Sequence, residues 1–314
     1  MELVTIRHKR SFAHMAKLRF KKSGFLIAMI IPAILFYAIF CYIPMYGIVI
    51  AFQDFDPVLG IGGSEWVGFE NFRIIFHKSE FWNVLLNTIK IGVIKIILAF
   101  LGAVTTALLL NELRLRKTKK VIQIIVTFPH FLSWIIIAGF ISSLFEQRGT
   151  INSMITAMGG NPIMFMSNGN FFLGLLFGSD IWKEAGWGSI IYLATMAGIP
   201  QEQYEAADID GATRLQKIWH VTLPGIKATA ILLLIMSVGG VLSAGFDQIF
   251  NLYNKTLYKY ADILDTYIYR QILGGTFINP GVGTAVGLFK SVVSFILVIT
   301  ADRIAKACGE RGII

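Results

Sequence analysis

Long apolar runs alternate with shorter polar segments along the chain. Six runs are long enough for membrane-spanning helices, each of which needs about 20 mostly apolar residues. They cover residues 24–52, 83–110, 121–144, 180–198, 228–250 and 281–301. A further apolar stretch, 171–177, is too short to span, and we expect an external or interfacial segment there. The pattern predicts an all-α, polytopic membrane protein with six transmembrane helices.

The composition excludes the main soluble classes. Of the 314 residues, 55% are hydrophobic and only 15% are charged, and the mean hydropathy is +0.66. Soluble domains carry about 25% charged residues, so two soluble domains of this total length could not cover their surfaces. The two cysteines, Cys41 and Cys308, lack the CxxC spacing of a metal or redox site. Despite the net charge of +9, we expect no nucleic-acid partner.

Basic residues are distributed unevenly between the predicted loops. The N-terminal tail, loops 112–120 and 199–227 and the C-terminal end hold 18 of the 28 Lys and Arg residues. The alternate segments 52–82, 145–179 and 251–280 hold 6. By the positive-inside rule, both termini and loop 199–227 are cytoplasmic. The net charge is therefore mainly a topology signal, with a minor contribution from attraction to anionic membrane lipids.

Loop 199–227 has an unusually regular sequence for a connection between spans. Pro200 suits the first turn of a helix, and acidic residues follow it near the positive end of the helix dipole. Gly211 allows a break, and Leu223-Pro224 is expected to end a second short helix before the fifth span. Such a pair with exposed apolar residues is typical of a docking element or of interfacial helices lying on lipid headgroups.

The same loop resembles a known motif. Glu205-Ala206-Ala207, then Gly211, Val221 and Leu223-Pro224, resembles the EAA loop of binding-protein-dependent ABC importer permeases, with Val221 replacing the usual Ile. Other segments resemble the oligosaccharide and polysaccharide branch, which includes permeases for alginate and pectin-derived oligosaccharides. They include Phe128-Pro129, Ile181-Trp182-Lys183-Glu184, Gly186-Trp187-Gly188, Phe246-Asp247-Gln248-Ile249-Phe250 and Gly287-Leu288-Phe289-Lys290.

The resemblance implies a type I ABC importer permease fold in the bacterial plasma membrane, in which the last five helices form the shared core. We expect a cytoplasmic basic tail at 1–23, a first transmembrane helix and external segment at 24–82, a permease core at 83–303 and a cytoplasmic tail at 304–314. The coupling loop at 199–227 belongs to the core.

The resemblance also implies the partners. They are two cytosolic ABC ATPase subunits that receive the loop, an extracytoplasmic solute-binding protein that delivers a carbohydrate, and a second, different permease subunit. The implied coupling residues are Tyr204, Glu205, Ala206, Ala207, Asp210, Gly211, Leu223 and Pro224. The sequence contains no Gly-Lys dipeptide and hence no P-loop, so ATP hydrolysis needs another subunit. We expect no catalytic residue, cofactor or metal.

Several charges fall inside or beside the predicted spans. Lys95 and Lys290 lie too deep to reach the interface easily, so we expect either pairing with Asp247 or Glu184 or contact with substrate. Lys90 and Lys183 lie near span ends, where snorkelling is an equal alternative. Excess lysine would suit an acidic oligosaccharide unless local carboxylates neutralise it.

By resemblance to disaccharide permeases, sugar contacts come from the fourth span and from the end of the fifth. Aromatic faces there can stack on sugar rings while polar groups bind hydroxyls. The predicted substrate-pathway residues are Trp182, Lys183, Glu184, Trp187, Ser243, Phe246, Asp247, Gln248, Asn251 and Lys290.

Other readings stay open from the sequence. The substrate could be another sugar or small solute, and an ion-coupled secondary transporter would not need the coupling loop. A membrane-embedded enzyme is disfavoured because the five His are scattered and neither HExxH nor Gly-x-Ser-x-Gly occurs.

Overall fold

The computed structural model describes residues 24–25, 28–274, 278–307 and 309, and it is mainly helical. In chain order the helices are α1 (Ala28–Phe52), α2 (Gly60–Gly63), α3 (Glu70–His77), α4 (Ser79–Glu112), α5 (Arg116–Thr127), α6 (Trp134–Phe145), α7 (Thr150–Ala157), α8 (Gly169–Ala197), α9 (Gln201–Ile209), α10 (Arg214–Lys217), α11 (Leu223–Val238), α12 (Phe246–Leu252), α13 (Tyr258–Ala261), α14 (Leu264–Leu273) and α15 (Pro280–Ala307). Two short strands, β1 (Gln53–Asp54) and β2 (Glu65–Trp66), pair antiparallel.

Helices α4 and α8 form the centre of the bundle and pack extensively against each other. Small residues permit their approach: a Cβ at Gly102 of α4 would lie 3.2 Å from the Cβ of Ala185 in α8. A Cβ at Gly186 of α8 would overlap the backbone carbonyl of Val126 in α5. Because lipid chains are as apolar as side chains, helices in a membrane associate largely through such close packing.

Three groups of buried apolar side chains run along the bundle. The first joins α3, α4, α14 and α15 around Phe81 and Tyr267. The second joins α4, α6, α8 and α12 around Phe172 and Ile249. The third joins α4, α8 and α11 around Tyr192. Helix α4 contributes to all three groups, so it is the common support of the fold.

The predicted count of six spans is not confirmed. Among the described residues, four helices are long and apolar enough to cross a membrane, and a bent pair of helical segments would make a fifth. The four are Ala28–Phe52, Ser79–Glu112, Arg214–Val238 and Pro280–Ala307, and the pair is Arg116–Phe131 with Trp134–Ala157. The predicted fourth span, 180–198, lies in α8, which is 29 residues long but carries three charged residues within a few positions.

The predicted third span, 121–144, is bent rather than straight. Helix α5 runs into a 3-10 segment, Phe128–Phe131, and α6 starts after Ser133, whose hydroxyl accepts the N–H of Ile136. The two halves of the bent pair meet at 93°. Pro129 lacks an N–H and disfavours a continuous helix here. The apolar pattern did not reveal the bend because both halves remain apolar.

The stretch 171–177 is not a separate segment ahead of the fourth helix, and that expectation was wrong. Helix α8 begins at Gly169, capped by the Asn168 side chain, and continues to Ala197. The stretch therefore forms its first turns. The polar residues that suggested a boundary at Ser179-Asp180 are instead accommodated inside one continuous helix.

The predicted fifth span, 228–250, ends early. Helix α11 stops at Val238, and residues 239–245 lead into the separate helix α12. Ala244 and Gly245 adopt left-handed backbone conformations, with φ of 48° and 83°. Val241 and Leu242 within this break are buried, so the hydropathy pattern continues across it.

The chain ends differ slightly from prediction. Helix α15 continues to Ala307, beyond the predicted span 281–301 and into the predicted tail 304–314. The basic tail 1–23 lies outside the described residues, as do residues 310–314.

An ion-pair cluster fixes the segment between α12 and α15 on the start of α4. Arg270 donates to both carboxylate oxygens of Asp262, at 2.6 and 2.7 Å, and to Glu80 at 3.0 Å. Its guanidinium lies over the ring of Tyr258, 4.3 Å from the centroid. Burial alone would lower the pKa of Arg270, but the hydrogen bonds and charge of Asp262 outweigh it and raise the pKa.

The close approach of α5 to α8 gives a testable prediction. We expect Gly186→Ala to lower the thermal unfolding midpoint of the detergent-solubilised protein, because an added methyl group costs about 1–3 kcal/mol in a tightly packed site. Gly174→Ala, on the same helix, should leave the midpoint near the wild-type value because its Cβ meets open space. Equal midpoints for the two variants, measured by fluorescence-detected size exclusion after heating, would contradict the packing described here.

Candidate coupling loop and substrate pathway

Helix α9 of loop 199–227 ends in a Schellman motif. The N–H of Gly211 donates to the Asp208 carbonyl at 3.1 Å, and the N–H of Ala212 donates to the Ala207 carbonyl at 2.9 Å. Gly211 has φ of 75°, a left-handed conformation that Gly adopts without steric cost. The spacing between Ala207 and Gly211 therefore has a structural reason: the glycine closes the helix whose last turns carry Glu205, Ala206 and Ala207.

Two side-chain contacts fasten α9 to the next helix. The Tyr204 hydroxyl lies 3.0 Å from Thr222 Oγ1, and Lys217 Nζ donates to Asp208 Oδ1 at 2.7 Å. Thr213 begins α10 with a capping box, in which its N–H donates to Gln216 Oε1 at 2.7 Å. The predicted helix–break–helix is thus present as one hydrogen-bonded unit.

The loop leaves one surface uncovered. Glu205, Ala206 and Asp210 are exposed. Three large apolar residues are exposed beside them: Ile209 by 87%, Leu215 by 65% and Trp219 by 63%. Apolar side chains grouped at this density on a small helical pair are typical of a surface that another molecule covers.

The second loop helix does not end at Leu223-Pro224, and that expectation was wrong. Helix α10 continues through a π-helical turn, Ile218–Thr222, into α11, so that Arg214–Val238 is one helix. The N–H of Leu223 donates to the Ile218 carbonyl, five residues back. This shifted hydrogen bond falls directly before Pro224, where a regular α-helical bond would be lost.

Four polar or aromatic residues form a stripe along one face of α8. Asp180, Lys183, Glu184 and Trp187 follow the i, i+3, i+4, i+7 spacing that puts side chains on one helix face. Asp180 pairs with Lys95 of α4, with 3.2 Å between Oδ1 and Nζ. Lys183 is buried, which removes the snorkelling alternative for it, and it lies 3.5 Å from Glu184. The charges of the α8 stripe are therefore balanced by one pair within the stripe and by Lys95 of α4.

His130, next to the break in the third span, meets the other end of the α8 stripe. Its carbonyl accepts from Lys183 Nζ at 2.5 Å, and its Nδ1 lies 2.8 Å from Glu184 Oε2. Its ring stacks on Trp187 with centroids 4.4 Å apart and planes 2° apart. At this break, where helical backbone bonds are interrupted, Lys183 of the stripe supplies a donor for the His130 carbonyl.

The second predicted pathway segment lies around α12. Ser243, Asp247 and Asn251 are exposed and Phe246 is partly exposed, whereas Gln248 is fully buried. Gln248 Nε2 donates to the Leu176 carbonyl at 2.7 Å and to Ser179 Oγ at 2.9 Å. This side chain joins α12 to α8, the helix that carries the other candidate residues.

Two predicted pathway residues stand apart from these groups. Lys290 of α15 donates to both carboxylate oxygens of Asp265 in α14, at 2.6 and 2.7 Å. Trp182 is exposed outside the α8 stripe. Neither Lys95 nor Lys290 pairs with Asp247 or Glu184, so the predicted ion-pair partners were wrong. Among the described residues, no three His, Cys, Asp or Glu side chains are grouped as metal ligands.

Comparison with known proteins identifies the family. Residues 99–308 match the family described as binding-protein-dependent transport system inner membrane component. The chain belongs to this family. The polygalacturonan/rhamnogalacturonan transport system permease protein YteP of Bacillus subtilis (strain 168) is 43% identical to this permease over 291 residues, 92% of this chain and 90% of YteP. The predicted resemblance is thereby confirmed.

Solved structures show the same fold. A bacterial ABC transporter involved in the import of the acidic polysaccharide alginate has a chain that matches with a TM-score of 0.84 and 34% identity, over 93% of this chain and 99% of that chain. A bacterial alginate ABC transporter in complex with alginate pentasaccharide-bound periplasmic protein matches with a TM-score of 0.83 and 34% identity, over 94% and 98%. The chain is a multi-pass permease subunit of an ABC importer, and the reading as an ion-coupled secondary transporter is abandoned.

Sequence reasoning missed His130 and Ser179 as partners of the α8 and α12 side chains, and it missed Asp180 as the partner of Lys95. Pro129 was the available signal for His130, because a proline that interrupts a span frees carbonyls that need donors. For Asp180, the signal was a carboxylate one turn from Lys183 and Glu184 on an apolar helix. The pairing with Lys95 itself required knowledge of which helices are neighbours.

The Schellman motif of the permease yields a local prediction. Gly211→Ala forces a Cβ into the left-handed region at a cost of about 1–2 kcal/mol. We expect the amides of 207–213 to exchange hydrogen roughly 5- to 30-fold faster. Gly211→Asn, which tolerates this conformation better, should accelerate exchange less. Hydrogen exchange measured by mass spectrometry tests this, and identical rates in the Ala variant and wild type would refute the capping role.

Proposed function

We propose that this permease forms half of the translocation pathway for an acidic oligosaccharide. A second, different permease subunit completes the pathway, an extracytoplasmic binding protein delivers the sugar, and two cytosolic ATPase subunits drive transport through loop 199–227. One observation carries this proposal: a capped helix presents Glu205 beside exposed apolar residues and is hydrogen-bonded to the continuous helix Arg214–Val238, which is long and apolar enough to span a membrane.

The coupling step follows from how the loop is connected. Helix α9 is tied to Thr222 and Lys217, and both residues lie on the continuous helix Arg214–Val238. A displacement of α9 by a closing ATPase would therefore displace α11 with it. The break at 239–245 marks the end of this rigid path, so motion at the loop reaches the segment that precedes α12.

The location of the loop supports the same proposal. The cytoplasmic side is assigned from basic residues, 18 of which lie in segments that share a side with the loop. Both termini then lie in the cytoplasm, and the β1–β2 ribbon and α14 lie on the outer side, where a binding protein arrives. Helix α1 is exposed along most of its length, consistent with a helix that wraps a second permease subunit.

The substrate class rests on the exposed groups and on the relatives. Trp182 and Trp187 offer aromatic faces, and Asp247 and Asn251 offer polar groups for hydroxyls. These lysines, of which Lys95 and Lys183 are buried and Lys290 is partly buried, add no support for an acidic sugar, because each is matched by a carboxylate. The acidic class is favoured instead by the polygalacturonan/rhamnogalacturonan permease and the alginate importer.

The coupling role predicts a charge-reversal phenotype. We expect Glu205→Lys to reduce co-purification of the ATPase subunits by more than about tenfold, because reversing a charge in a desolvated interface costs several kcal/mol. The amount of permease in the membrane should be unchanged, since Glu205 is exposed. Glu112→Lys, the same change on the exposed end of α4, is the control and should keep the ATPase. Full retention by the Glu205 variant would reject the coupling surface.

The substrate class predicts a selectivity pattern in reconstituted transport. Proteoliposomes with the complete transporter and its binding protein should take up trigalacturonate or an alginate trisaccharide but not maltotriose. ATP hydrolysis should be stimulated by the same sugars. Uptake of maltotriose with no uptake of either uronate would reject the acidic class while leaving the permease role intact.

A further inference from the structure

Helix α12 begins after a stretch of backbone that gives it little support. Ala244 and Gly245 are both left-handed, and Gly245, its N-cap residue, has no side chain to cap the helix. The helix is only 7 residues long. A helix this short is marginal alone, so tertiary contacts decide its direction.

Gln248 provides the polar contacts on the inner face of α12, beside the buried apolar side chains of Ile249 and Leu252. It is 0% exposed, and its amide is used from both sides. Its Oε1 accepts from Lys95 Nζ of α4, while its Nε2 donates to the Leu176 carbonyl and to Ser179 Oγ of α8. A single side chain thus joins α12 to the two central helices.

The surroundings of Lys95 are shaped for this contact. A Cβ at Gly92, one turn earlier on α4, would overlap the Val241 carbonyl, so the glycine lets α4 lie directly against the break at 239–245. A Cβ at Gly245 would collide with Lys95 Nζ. Lys95 is 9% exposed, and Asp180 at 3.2 Å balances its charge. Lys95 can therefore donate a buried hydrogen bond to Gln248, while Asp180 compensates its charge at this site.

The opposite face of α12 is open. Asp247 and Asn251 are exposed and lie one turn apart, and Asn251 Nδ2 donates to the Asp247 carbonyl at 2.7 Å. Their direction follows from that of the helix, which Gln248 fixes together with the buried side chains of Ile249 and Leu252. Gln248 itself has no surface left for a sugar.

We propose that Lys95 and Gln248 are positioning residues that aim the exposed face of α12, with Asp247 and Asn251, at the transported saccharide. Gln248 was predicted to contact substrate, whereas here it supports the residues that do. This inference deepens the proposed function and rests on it for the identity of the passing ligand. The placement of α12 by these two residues stands independently of that identity.

A charge-neutral double variant separates positioning from charge balance. Lys95→Met/Asp180→Asn removes both charges together, so no unpaired ion stays buried, but it also removes the donor to Gln248. Gln248→Met keeps the ion pair and removes only the anchor. For uptake of trigalacturonate by the reconstituted complex, we expect both to raise KM about fivefold, as for loss of one hydrogen bond, with maximal rates within about twofold of wild type.

Gln271→Met, on the half-exposed face of α14, is the matched control and should keep the wild-type KM. A wild-type KM in the double variant would show that the pair only balances charge and would overturn the inference. A fall in maximal rate at unchanged KM would overturn it as well.

A substrate-free measurement tests the placement directly. Asn251→Cys is introduced into a chain in which Cys41 and Cys308 are replaced by Ser, and the assembled transporter is labelled with a hydrophilic maleimide. We expect Gln248→Met and the double variant to change the labelling rate about threefold or more, and Gln271→Met to leave it unchanged. Unchanged rates in both would reject the inference. Failure of trigalacturonate uptake by the wild type would reject only the proposed substrate.

Discussion

Polar groups on α8 have to be satisfied inside an apolar bundle, and the rest of the permease is arranged around that constraint. Asp180 forms an ion pair with Lys95 of α4. At the break in the third span, Lys183 donates a hydrogen bond to the His130 carbonyl, and Glu184 contacts the His130 ring. These contacts join α8 to α4 and to the break in the third span. Because water cannot replace these partners in the bilayer core, losing one leaves a buried charge or carbonyl unpaired.

Polar side-chain contacts occur at both places where the predicted spans are interrupted. Where the third span bends after Pro129, the carbonyl of His130 accepts a hydrogen bond from Lys183. Where the fifth span breaks at 239–245, Gln248 and Lys95 fix the helix that follows. A helix interruption in a membrane is tolerated when protein groups take over the backbone partners. These interruptions lie beside the candidate pathway residues, whereas the loop end of Arg214–Val238 is continuous. The permease thus combines a continuous helix at the coupling loop with interrupted helices beside the candidate pathway residues.

Much of the outline could be predicted from the sequence because membrane insertion is governed by local composition. Apolar runs gave approximate positions for the long helices, and the Gly211 spacing gave the loop break that the structure has as a Schellman motif. The bend at Pro129, the start of α8 at Gly169 and the end of α11 at Val238 were not predicted. Hydropathy averages over a window, so it continues across a bend whose flanking residues are equally apolar.

The partners of the charged residues are the feature that the sequence could not predict. The sequence by itself determined that the permease is a helical membrane protein, that Lys95 and Lys290 need partners inside it, and that the 199–227 loop carries the family motif. Only the tertiary structure decided that the partners are Asp180 and Asp265 rather than Asp247 or Glu184, and that Gln248 faces inward. Composition and periodicity are properties of one segment, and they fix its helicity and which residues share a face. A contact between helices depends on how closely two backbones approach, and here glycines such as Gly92 and Gly186 set that approach.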